Sequence, residues 1–161
     1  MSYVDLARMT SGDHVRQTGT MSGNPISAVA SLATLKELRR EGAYERLFAT
    51  GRKLKDTLQQ LLTEAAIPAQ VIGEPPAFEV WFTDHEITDF RSSLTADVAL
   101  RERFVQLLLD RGIVKAHEKF FVSLAHTDED VEITIEAFRS AIGELRESAH
   151  RSKFLREPNC R

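Results

Sequence analysis

The chain has 161 residues, 42% of them hydrophobic and 28% charged, with a formal net charge of −3. That is enough for one domain with a real core, and the acidic balance argues against nucleic acid or an anionic membrane as the main partner. A single cysteine, Cys160, excludes an internal disulfide framework and a cysteine-based zinc site.

The lone cysteine also fits a reducing cytoplasm, which is the expected location. No apolar run approaches the roughly 18 residues of a membrane span. The start, Met1-Ser2-Tyr3-Val4-Asp5, lacks the basic and apolar regions of a signal peptide.

Residues 1–18 show little apolar periodicity and read as an arm that leans on something else. Thr18-Gly19-Thr20-Met21-Ser22-Gly23-Asn24-Pro25 then packs two glycines and three hydroxyls ahead of a helical pattern. Two readings stand open. The loop holds an anion through the Thr20 hydroxyl, nearby backbone N–H groups and the helix dipole. Alternatively, it is simply a helix entry capped by Asn24 and Pro25.

From Asn24, Ile26, Val29, Ala30, Ala33, Leu35 and Leu38 recur at near-helical spacing, and Gly42 fits the stop. A second helix is expected from Ala43 to Ala66, with Leu47, Leu54, Leu58, Leu61, Leu62 and Ala65 as its apolar stripe. Gly51 within it either weakens it or admits a close neighbour. Ala69–Gly73 and Ala77–Thr83 read as strands around Glu74-Pro75-Pro76. Phe78, Val80 and Phe82 alternate with Glu79 and Trp81, the pattern of a strand with one face in the core.

Residues 84–94 read as a loop. Thr95 is expected to cap a helix to Arg111, with Val98, Phe104, Val105 and Leu108 inward and Gly112 as its stop. Ile113–Ala116 and Phe120–Leu124 read as strands. Thr127-Asp128-Glu129-Asp130 resembles a capping box and opens a last helix to about Arg146. The residues after Ala149 lack periodicity and are expected to be disordered. Few strands among long helices give an α+β class, a small sheet covered by helices.

The histidines, His14, His85, His117, His126 and His150, make no i, i+4 pair, so no zinc site is expected. Ser123 and His126 lie close together, but no nucleophile elbow accompanies them. Glu118 reads by default as a solvated loop carboxylate.

Three stretches carry a resemblance. They are Gly19 to Pro25 with Ala28, Ala30, Ala33, Thr34 and Leu35; Phe78-Glu79-Val80-Trp81-Phe82-Thr83-Asp84; and Phe121 to Asp130. In order and spacing they resemble the class III pyridoxal-phosphate-dependent aminotransferase family, in its glutamate-1-semialdehyde 2,1-aminomutase-like branch. Only the C-terminal part of the family corresponds to this chain. The resemblance implies the C-terminal small domain of the type I pyridoxal-phosphate transferase fold, itself an α/β family. It divides the chain into 1–23, an arm and phosphate-loop remnant of the large domain; 24–147, a long connecting helix and small domain; and 148–161, a disordered tail.

The implied cofactor is pyridoxal 5'-phosphate, touched only at its phosphate and in trans. Gly19 and Thr20 match the family loop that binds the cofactor phosphate of the neighbouring subunit. Glu118 matches an acidic residue that faces the substrate from the small domain. The segment from Gly112 to Glu118 is shorter than in aminomutases, and His117 stands in place of an aromatic. Aminomutase and ω- or β-amino acid transaminase therefore both stay open.

The family lysine that anchors the cofactor lies upstream of the Gly-Thr loop and has no counterpart here. The expectation is a chain inactive by itself, with no catalytic residue of its own. It would work as a homodimer or with a complementing large-domain chain, on a small amino-acid substrate. The alternative is a non-catalytic interaction or dimerisation module derived from the same fold.

Overall fold

The structure, a computed structural model, describes residues 23–115 and 119–154, the last six by their backbone alone. The chain divides into two units, residues 1–40 and 41–161.

In the first unit, helix α1 spans Pro25–Leu38. Asn24 caps it: the side-chain Oδ1 accepts from the backbone N–H of Ile26 at 3.0 Å and of Ser27 at 3.2 Å. Pro25 takes the first helical position, where no N–H is needed. No residue of α1 is buried.

The second unit begins with α2, Ala43–Glu64, whose stripe turns Leu54, Leu58 and Leu62 into the core. Leu47, Leu61 and Ala65 on the same stripe are half-buried. Two strands follow, β1 (Gln70–Glu74) and β2 (Ala77–Trp81), paired antiparallel with Val71 opposite Val80 and Gly73 opposite Phe78. Strand β3, Phe120–Phe121, pairs antiparallel with the start of β2 and gives the order β1-β2-β3. Between β2 and β3 lie a single turn, α3 (Phe90–Ser93), and α4 (Val98–Leu109). The last helix, α5, runs Asp128–Phe154 and packs against both α2 and α4.

Gly51 shows why α2 tolerates a glycine. A Cβ there would stand 2.1 Å from the carbonyl oxygen of Pro75. The turn between β1 and β2 thus rests directly on the helix backbone, and no side chain fits between them. Beside it, α2 seals the open edge of β1 with side chains. Gln59 accepts from the Val71 N–H at 2.8 Å and donates to the Ala69 carbonyl at 3.2 Å. Lys55 donates to the Gly73 carbonyl at 2.6 Å. An edge strand whose outward groups are occupied offers no template for another chain.

Five phenylalanines join the layers. Phe78 stacks on Phe120 at 5.0 Å, Phe120 meets Phe138 edge-on at 5.5 Å, Phe138 lies 6.4 Å from Phe104, and Phe104 meets Phe82 edge-on at 5.6 Å. Each ring is buried, so sheet, α4 and α5 share one apolar core. On the outside, Arg103 of α4 and Arg111, just past its end, both reach Glu144 of α5, and Arg111 also donates to the Ser140 hydroxyl.

Several elements differ from the pattern expected of the sequence. The loop at 84–94 contains α3, held by a capping box in which Asp89 and Ser92 bond each other's backbone. α4 is capped by Asp97, which accepts from Leu100 N–H at 2.9 Å, and not by Thr95, whose hydroxyl is engaged by Ser92 and Thr83. The later start leaves Val98 at the helix mouth, 51% exposed. Glu79 is buried and faces Arg101 of α4 at 3.8 Å, so the second face of β2 is not wet.

Ile113–Lys115 forms no strand, and Ala116 lies outside the described residues. β3 stops after Phe121 because the chain turns: the Ser123 N–H goes to His126 Nδ1 at 3.1 Å and not to a ladder. α5 continues to Phe154, beyond the point where the apolar period fades.

Candidate functional site

Two places carry the site expectations. The first is the entry to α1. Gly19 and Thr20 lie outside the described residues, as does Glu118. What is described is the helix start, and its donors are already taken. Asn24 Oδ1 holds the N–H groups of Ile26 and Ser27, the Asn24 carbonyl holds that of Ala28, and Pro25 has none. The first turn therefore keeps no backbone donor for an anion, although its dipole remains. Gly23 has φ +79° with nothing near its missing Cβ, so its role is the left-handed turn into the cap.

The second place is a cleft of about 280 Å³ where the segment 113–115, β3 and the first turns of α5 meet. Leu54, Phe120 and Val131 form a buried apolar floor, and Val114 and Phe121 stand exposed at the rim. Its polar walls are Lys115, His126, Asp130 and Thr134. The Lys115 ammonium lies 4.9 Å from the centre of the Phe120 ring, a cation–π contact. A lone lysine in an apolar run gives no pattern to single it out beforehand.

His126 is fixed from two sides. Its Nδ1 accepts from Ser123 N–H, and its carbonyl accepts from Arg46 Nη2 at 3.3 Å. The imidazole thus serves the Ser123 backbone and not the hydroxyl, which accepts from Ala125 N–H at 3.3 Å. No activated nucleophile is built here.

Asp130 completes the capping box: its Oδ2 accepts from Thr127 N–H at 2.8 Å and Thr127 Oγ1 at 2.7 Å, while Thr127 Oγ1 receives the Asp130 N–H. The Thr127 N–H first, and the Thr127 hydroxyl next, hold its carboxyl below the usual carboxylate range.

No lysine whose side chain is described is buried. Lys36, Lys53 and Lys119 are exposed, and Lys55 and Lys115 half-buried. Lys53 pairs with Glu132 and Lys55 with the Gly73 carbonyl. Among the described residues no three His, Cys, Asp or Glu side chains gather as metal ligands, and no helix is long and apolar enough to cross a membrane.

No family model matches the chain. In sequence it is 36% identical over 135 residues to the glutamate-1-semialdehyde 2,1-aminomutase of Desulfosudis oleivorans, across 82% of this chain and 32% of that enzyme. In structure it superposes on an omega-transaminase from Sphaerobacter thermophilus with a TM-score of 0.72 and 27% identity, covering 82% of this chain and 31% of the other. A glutamate-1-semialdehyde aminomutase from Pseudomonas aeruginosa, solved in complex with PMP, shares the fold with a TM-score of 0.68 and 24% identity, over 83% of this chain and 32% of that one. The chain spans about a third of the length of the curated relatives it matches.

Proposed function

We propose, for a chain that over 82% of its length belongs to the class III pyridoxal-phosphate-dependent aminotransferase family on its glutamate-1-semialdehyde aminomutase side, that these residues serve as the C-terminal part of an amino-group-transferring enzyme. The observation that carries this reading is that matches in sequence and in fold each cover about four-fifths of the chain. When bound, pyridoxal phosphate supplies the electron sink that lets an amino group leave one carbon and join another.

The described residues do not by themselves form a site for that cofactor. The donors of the first α1 turn are taken, and no lysine whose side chain is described is buried. The phosphate contact falls to Gly19 and Thr20, serving a cofactor held on a neighbouring subunit. Glu118 faces the substrate, a small amino acid. The partner is a second copy or a complementing large-domain chain, in the cytoplasm. The 161 residues alone do not transfer amino groups, because no lysine stands where one must hold the cofactor and move the proton.

The test incubates the pure chain with pyridoxal phosphate and an amino donor, reduces it with borohydride and maps the peptides. The expected result is no stoichiometric adduct at a single lysine and no amino transfer. Turnover by the isolated chain would overturn the claim of inactivity. A second reading, a non-catalytic docking or dimerisation module of the same descent, is favoured by one observation: no residue of α1 is buried.

A further inference from the structure

The cleft where the segment 113–115, β3 and the start of α5 meet brings one side chain of each charge to an apolar floor. Lys115 comes from the segment and Asp130 from α5, and Leu54, Phe120 and Val131 lie between. Its volume of about 280 Å³ falls at the small end of ligand sites, so an occupant has few heavy atoms.

The polar groups keep capacity for such an occupant. The Asp130 carboxylate spends Oδ2 on Thr127, and Oδ1 has no hydrogen bond among the described residues. The Thr127 N–H and hydroxyl hold this carboxyl below the usual range, so it is charged at neutral pH. His126 Nδ1 accepts from the Ser123 N–H, so the neutral ring carries its proton on Nε2 and offers a donor there. The Lys115 ammonium, 4.9 Å from the centre of the Phe120 ring, sets a positive charge at the same cleft. A ligand of one sign fits this lining poorly: a simple carboxylate meets Asp130, and a simple amine meets Lys115. A neutral apolar molecule would desolvate both charges and pair neither. A zwitterion answers both.

We propose that this cleft binds a small α-amino acid with an apolar side chain: its ammonium on Asp130 Oδ1, its carboxylate towards Lys115 and the His126 Nε2–H, and its side chain on Leu54, Phe120 and Val131. His126 and Asp130 are close enough to interact electrostatically, which suits two charged groups borne on one carbon. The site draws on residues of this chain alone and does not rest on the function proposed above.

The experiment follows the backbone amide shifts of the full 161-residue chain as L-leucine is added. The titration is repeated with isoamylamine, which lacks the carboxylate, and with isocaproate, which lacks the ammonium. The expected result is saturable shifts centred on Phe120 and Val131, with dissociation constants for both analogues about fivefold or more above that of leucine. In Asp130→Asn the advantage of leucine over isocaproate disappears, and in Lys115→Gln its advantage over isoamylamine does. Circular dichroism checks α5 in Asp130→Asn. Should that variant unfold, Lys115→Gln, at a position outside every helix and strand, decides alone.

Absence of saturable shifts with leucine overturns the proposal, as do shifts that leave Phe120 and Val131 unmoved. An analogue that binds as tightly as leucine overturns it too. So does an advantage over isoamylamine that survives Lys115→Gln, or one over isocaproate that survives in a folded Asp130→Asn.

Discussion

α1 and α2 are separated by only four residues, yet they obey different rules. α2 has a wet side and a dry side, and its dry side is filled: Leu58 and Leu62 are completely buried. α1 has a narrow hydroxyl face of Ser27, Ser31 and Thr34 and is apolar around most of the rest before Lys36, yet none of its residues is buried. Amphipathicity is the mark of a helix that finds its partner within its own domain. α1, with a sound cap at Asn24, buries no residue at all. The second unit is therefore self-sufficient in core, whereas α1 derives little stability from the contacts described here.

The sharpest way to break this contrast is to make the same kind of truncation in both places. Phe138 is fully buried at the centre of the aromatic chain. Phe138→Ala is expected to cost about 3–5 kcal/mol in urea unfolding. Leu32→Ala, on the open helix, is expected to stay within about 0.5 kcal/mol. A comparable loss at Leu32 would mean that α1 is covered in the free chain.

The next largest effect is one of sign. In a solvent-facing helix, glycine to alanine stabilises by about 1 kcal/mol. At Gly51 the added methyl meets the Pro75 carbonyl oxygen, and the β1–β2 turn must move to admit it. Gly51→Ala is thus expected to destabilise, by about 1–3 kcal/mol, and a higher midpoint in thermal unfolding would contradict the close contact.

Where the sequence repeats with a period, it was legible. The stripe of α2, the alternation of Phe78, Val80 and Phe82, and the Thr127–Asp130 box all appear where pattern places them. Pattern fails where a side chain competes with the backbone. Asp97 takes the α4 cap from Thr95 because the Thr95 hydroxyl already bonds to Ser92. Phe120–Leu124 shortens to two strand residues because His126 takes the Ser123 N–H. Glu79 alternates like a surface residue, and only the arrival of Arg101 from a helix distant in sequence makes its burial tolerable. Of the site, the α1 cap was legible from Asn24-Pro25. The cleft was not, since its walls come from α2, α5 and the approach to β3, segments that local spacing does not bring together.

The smallest expected effect separates the two units by their caps. α1 is capped by a neutral carboxamide, Asn24, whereas the α5 box pairs the Thr127 hydroxyl with the Asp130 carboxylate, which bonds back to the Thr127 N–H. Only the second cap titrates. Asp130 has its folded pKa lowered by the Thr127 N–H and hydroxyl, with a smaller pull from His126. Its contribution is therefore present above the ordinary carboxylate pKa of about 3.9 and is lost as pH falls through the lower folded value. Asp89, lowered by the Ser92 N–H and hydroxyl, behaves alike at α3. Urea midpoints of the parent and Asp130→Ala should differ at pH 7, and the gap should narrow towards pH 3 and below. An Asn24→Ala variant should show an offset in α1 helicity that does not change over the same range. A gap at Asp130 equally independent of pH would mean that the cap works through the Thr127 hydroxyl and not through the carboxylate charge.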